Sequence, residues 1–103
     1  MATFEFEGIG QFPISKVVQS SAVWMNNETI TNAKLIASET KEGTDIILFY
    51  LSADNGSNFE KVTNGTLHYF TNTGTKLKWK ARLTGYAGNS TYFENLRIEI
   101  NKG

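Results

Sequence analysis

Over residues 76–83 apolar and charged side chains alternate without a break. Leu77, Trp79, Ala81 and Leu83 fall on one face of an extended chain, and Lys76, Lys78, Lys80 and Arg82 on the other. A period of two sustained this long predicts a half-buried β-strand. Residues 93–101 repeat the pattern, with Leu96, Ile98 and Ile100 opposed to Arg97, Glu99 and Asn101. Further strands are predicted over 34–39, 44–52, 59–62 and 66–70, each bounded by turns that carry Gly or Asn. Residues 46–51 are apolar on both faces, which predicts a mid-sheet strand covered on both sides. The first thirty residues are less regular. Phe4-Glu5-Phe6-Glu7 alternates, Pro13 breaks the chain, and residues 17–25 have room for one or two short strands.

No long window carries apolar residues at helical spacing, and turn signals recur about every ten residues. Thr (12), Asn (10), Gly (9) and Ser (7) are residues that favour turns and strands over helices. The expected fold class is therefore all-β, an antiparallel β-sandwich of jelly-roll-like form. At 103 residues it makes one domain, spanning 1–103. Ten basic residues balance ten acidic ones, which argues against a nucleic-acid partner held by counterion release. No run approaches the roughly 18–20 apolar residues of a membrane helix, so no membrane insertion is expected. Glu5 and Glu7 interrupt Phe4 and Phe6, so no signal peptide is expected either. Without cysteine there are no disulfides, thiol nucleophiles or zinc thiolates. The sequons at Asn27, Asn55, Asn64 and Asn89 read as a consequence of the Asn/Thr-rich composition.

The sharpest local signal is Ser52-Ala53-Asp54-Asn55-Gly56-Ser57-Asn58-Phe59. It resembles an Asp-box, the Ser-x-Asp-x-Gly-x-x-aromatic hairpin, with Phe59 where Trp is usual. Asp54 can accept turn amides, Gly56 can take a positive φ, and Phe59 can fold back on the apolar strand. Ser52, Asp54, Gly56 and Phe59 are accordingly assigned to a structural turn. Over residues 45–100 the order FYLSADNG, an aromatic, VTNGT, GTKLKWKARLTG and YFENLRIEI resembles β-sandwich modules of bacteriophage tail, baseplate and fibre proteins. These are in turn similar to discoidin-like carbohydrate-binding domains; Asn95 stands where such modules often carry Pro. The resemblance implies a non-enzymatic virion structural or attachment module of tail, baseplate, fibre or capsid decoration, assembled in the host cytoplasm and without a cofactor. Its partners would be other virion proteins or further copies of itself, a trimer being one such homo-oligomer. The alternative is a carbohydrate-binding module that recognises a cell-surface glycan.

Residues able to carry catalysis are few. His68, the sole histidine, lies between Leu67 and Tyr69 and reads as a strand-surface residue. Glu5 and Glu7 stand about 7 Å apart on one strand face, a spacing that any alternating strand gives. No catalytic residue is assigned, and no metal ligand, because the Asp-Asn-Gly turn lacks the spaced carboxylates of a calcium loop. Lys76, Lys78, Lys80 and Arg82 form a basic stripe that is either an anion, glycan or acidic-partner surface or a solvated face paired with Glu94 or Glu99. Trp79 and Phe49 are expected in the core. Trp24, Tyr86 and Tyr92 are candidate partner or glycan contacts, as are Phe4 and Phe6 in segment 1–13. That segment is either an arm that adds to a neighbour's sheet edge or the first strand of its own sandwich.

Overall fold

The computed structural model describes residues 2–10, 17–20, 23–86 and 88–102, and among them there is no helix. The strands are β1 (Ala2–Gly10), β2 (Val17–Gln19), β3 (Trp24–Thr40), β4 (Ile46–Ser52), β5 (Glu60–Val62), β6 (Leu67–Thr84) and β7 (Tyr92–Lys102). They join one sheet in the order β1-β7-β3-β6-β4-β5, with β2 alongside β6, and every strand pairing is antiparallel.

The two segments predicted at 66–70 and 76–83 are one strand of 18 residues. The intervening Thr71-Asn72-Thr73-Gly74-Thr75 is polar and holds a glycine, so it reads as a turn, yet it stays extended because neighbours satisfy it. Glu60 accepts the amides of Thr71 and Asn72, at 3.0 and 2.9 Å. Gly74 lies so close to Ala53 that a Cβ there would meet the Ala53 carbonyl oxygen at 2.3 Å. The Asn26-Asn27 pair is likewise absorbed as a bulge, since Met25 pairs with Lys76 and Ile30 with Gly74.

β6 changes neighbours along its length. Its first part pairs with β3, from Leu67 opposite Lys34 to Leu77 opposite Trp24. Its second part pairs with β4 on one side, Lys78 opposite Ser52 through Thr84 opposite Ile46, and with β2 on the other. The inward residues Leu77, Trp79, Ala81 and Leu83 are buried, as the alternation requires. Phe93 of β7, fully buried, receives Phe49 of β4 edge-on at 5.3 Å and Trp79 of β6 at 6.0 Å. Such aromatic pairs contribute about 0.5–1.5 kcal/mol each beyond their burial. They bring residues of β4 and β6 onto the inner face of β7.

β4 lies between β6 and β5, inside the sheet, but its outer face is open, contrary to the expectation of cover on both sides. Ile47, Phe49 and Leu51 are buried, whereas Leu48 and Tyr50 are half-buried and Ile46 is 50% exposed. Among the described residues no second layer packs over that face, so the apolar run marks a single inner face plus an exposed patch. Residues 2–10 pair with β7 of the same chain, Phe4 opposite Ile98 and Phe6 opposite Leu96, which makes this segment the chain's own first strand and not a free arm. Asn95 takes a φ of 54° where β7 slips register against β3, a conformation Asn tolerates and Pro does not.

Candidate functional site

The hairpin after β4 is held from within. Ser52, fully buried, donates its hydroxyl to Asp54 Oδ1 at 2.6 Å and accepts the Gly56 amide at 2.8 Å. Asp54 Oδ1 accepts the Asn58 amide at 2.9 Å, and Oδ2 accepts the Asn58 side-chain amide at 2.7 Å. Gly56 has a φ of 88°. The Ser52 hydroxyl leads the bonds that hold the Asp54 carboxyl below the usual carboxylate range, against the opposing effect of burial. Asn55 N bonds Lys76 O at 3.0 Å and Lys76 N bonds Ala53 O at 3.2 Å, which seats the hairpin on β6. Phe59 is half-buried with the Lys80 ammonium 4.4 Å from its ring centre.

His68 is not on the strand surface as its sequence position suggested. It stands opposite Ala33 on the inward side, and its Nε2 lies 2.9 Å from Glu60 Oε1 with a side-chain exposure of 22%. The alternation of 66–70 is present, but pairing with β3 sets Leu67 and Tyr69 outward. Burial works to raise the Glu60 carboxyl and is outweighed by the Thr71 and Asn72 amides, His68 and the Asn72 side chain, so Glu60 sits below its usual range. The pair thus ties β5 to β6.

A third carboxylate anchors the loops between β3 and β4 and between β6 and β7. Asp45 is 5% exposed; its Oδ2 accepts the Thr91 hydroxyl at 2.6 Å, and its Oδ1 accepts the Tyr86 amide at 3.0 Å and the Asn89 side chain at 3.1 Å. Thr91, then Tyr86, hold this carboxyl below the usual range; burial opposes them and Asn89 adds to them. A Cβ on Gly85 would meet Asp45 Oδ1 at 1.9 Å, so glycine is what allows the carboxylate to lie under the loop. Tyr86 itself is 78% exposed.

The predicted contact residues do not converge. Tyr86 and the half-buried Tyr92 flank one loop, whereas Trp24 begins β3 opposite Leu77, at the end of that strand remote from Thr40, the partner of Tyr92. The side chains of Phe4, Phe6 and Trp24 lie outside the described residues. Tyr69, 69% exposed, is an outward aromatic that sequence reasoning passed over, because its strand shows no clear inner face until β3 is placed beside it. A cleft of 440 Å³ lies over the β7 bulge between Glu5, Ser38, Asn95 and Arg97, and one of 260 Å³ between Lys41, Phe49, Lys61 and Asn64. Asn64 is fully engaged, accepting the Ala37 amide at 3.0 Å and donating to Ala37 O at 2.7 Å and Glu39 Oε2 at 2.8 Å. It acts as a strand residue in side-chain form. Among the described residues no group of three or more His, Asp or Glu could hold a metal ion.

Among the described residues the basic stripe makes no ion pair with Glu94 or Glu99, because β7 lies between β1 and β3 and not beside β6. Glu99 serves Lys34 and Arg97 instead. No family model, curated protein or solved structure matches the chain.

Proposed function

We propose that the protein is a non-enzymatic structural or attachment module of a bacteriophage particle, a β-sandwich formed by a sheet that closes over on itself. The observation that carries this reading is the loop at Tyr86. Asp45 fixes the loop's shape from below while a tyrosine 78% exposed stands on top, so contact there orders little that is not already ordered. At the opposite end of β4 Asp54 fixes a second turn in the same way, and Glu60 with His68 ties β5 to β6. The ring contacts of Phe93 with Phe49 and Trp79 support the sandwich description. The resemblance of residues 45–100 to tail, baseplate and fibre modules supplies the particle, with other virion proteins or further copies of the chain as partners.

Antibodies raised against the protein should label intact particles, and Tyr86→Ala should reduce its incorporation while leaving the urea midpoint unchanged. Particles that assemble and infect without the protein, and never carry it, would remove the reading. A carbohydrate-binding module is the second reading, favoured by the exposure of Tyr69 and Tyr86, whose rings are free to stack on a sugar. Glycan-array binding that is lost with Tyr86→Ala, in the absence of particle labelling, decides for it.

A further inference from the structure

The two outward sides of the sheet differ in charge. On the β3–β7 side Lys34 and Arg97 share Glu99 as a carboxylate partner, at 4.0 and 3.5 Å. On the side built by β2, β6, β4 and β5, Lys78, Lys80 and Arg82 stand in register with Ser52, Tyr50 and Leu48, and Lys61 stands beside Tyr50. Among the described residues none of these cations has an ion-pair partner. The adjoining Asp54 has its oxygens filled by Ser52 and Asn58.

The same side is not purely polar. Arg82 lies between Leu48 and Val17; Val17 is 46% exposed and Ile46 50%. The Lys80 ammonium lies 4.7 Å from the centre of the Tyr50 ring and 4.4 Å from that of Phe59. An ammonium already over both rings leaves little open aromatic face for base stacking, which argues against single-stranded nucleic acid. Exposed aliphatics around an arginine, beside cations without an ion-pair partner among the described residues, suit a protein segment that carries both carboxylates and apolar side chains. Alternate residues of β6 place the cations about 7 Å apart, the spacing of carboxylates on alternate residues of an extended chain.

We propose that this side docks an extended acidic segment of another protein. Its carboxylates engage Lys78, Lys80, Arg82 and Lys61, and its apolar side chains rest on Val17, Ile46 and Leu48. The inference stands apart from the particle reading, since particle labelling can fail without affecting it.

The probe is a fluorescent random copolymer of glutamate and tyrosine, followed by anisotropy at low salt, with poly-L-glutamate, polygalacturonate and oligo-dT as competitors. The copolymer should bind, and Arg82→Glu and Lys61→Glu, both at exposed positions, should each weaken it about tenfold. Ile46→Asn should weaken the copolymer about threefold and poly-L-glutamate not at all. Lys34→Glu, the same charge change on the other side, should leave binding unchanged. Circular dichroism and urea midpoints confirm that each variant is folded. No binding of the copolymer, retention of binding in both charge-reversal variants, or equal competition by polygalacturonate or oligo-dT would overturn the proposal.

Discussion

Replacing Gly74 by alanine tests how the hairpin after β4 is seated on β6. The added Cβ would lie 2.3 Å from the Ala53 carbonyl oxygen and 2.9 Å from both the Ala53 carbonyl carbon and Asp54 Cα. The first approach is about 1 Å shorter than an ordinary van der Waals contact, and every atom it meets is backbone, so no rotamer change relieves it. The hairpin must lift. Lifting breaks the bonds Lys76 N to Ala53 O and Asn55 N to Lys76 O, which contribute about 1 kcal/mol each. Staying in place would instead cost about 1–3 kcal/mol of overpacking. The cheaper route sets the loss, about 1–2 kcal/mol, with a melting temperature lower by about 5–15 °C for a chain of this size. Urea denaturation followed by tryptophan fluorescence measures it, with an unchanged slope as the sign that only stability moved. Gly88→Ala, where a Cβ meets nothing within 4 Å, is the matched control and should stay within about 0.5 kcal/mol. Combining Gly74→Ala with Asp54→Ala should cost less than the two single losses together, because each loosens the same hairpin. A loss below about 0.5 kcal/mol for Gly74→Ala would refute the seating of Ala53 and Asp54 on β6.

Two further outcomes are expected. Asp45, Asp54 and Glu60 all titrate below their ordinary values when folded, so the unfolded chain binds more protons in acid. Their stabilisation is complete above the ordinary carboxylate range, about 4, and is lost as pH falls through the lower folded values. Urea midpoints measured from neutral pH downward should fall there, and a profile unaltered by Asp54→Asn would contradict the assignment. Deleting residues 1–10 removes β1 from β7 and should unfold or aggregate the chain, as read by circular dichroism and light scattering; a folded monomer with an unchanged midpoint would show that β1 adds nothing to the sheet.

What was legible in the sequence was what depends on near neighbours. Residues 76–83 and 93–101 show their inner faces by alternation alone, and Phe49 and Trp79 are in the core as their positions suggested. The 52–59 turn was readable because its bonds run from Ser52 and Asp54 to residues at most four positions away. The continuity of β6 was not, since what keeps residues 71–75 extended is Glu60 on β5 and the hairpin lying against Gly74. His68 and Tyr69 are adjacent in one strand, and only pairing with Ala33 and Asn32 decides which of them faces inward. The placement of Asp45 beneath the Tyr86 loop joins residues 41 positions apart, a relation no local pattern encodes.

The strand order also bears on how the chain is made. Among the described strands only β4 and β5 pair with a neighbour in sequence; β2 waits for β6, β1 waits for β7, and β3 waits for both. During synthesis from the N-terminus the first three strands therefore emerge before the strands they pair with, β6 and β7, have been made. Non-local pairing of this kind folds slowly and leaves open strand edges during the interval. Through that interval the edges of β1 and β3 are open to pairing with other chains. β6, once released, becomes the template on which β2, β3 and β4 settle.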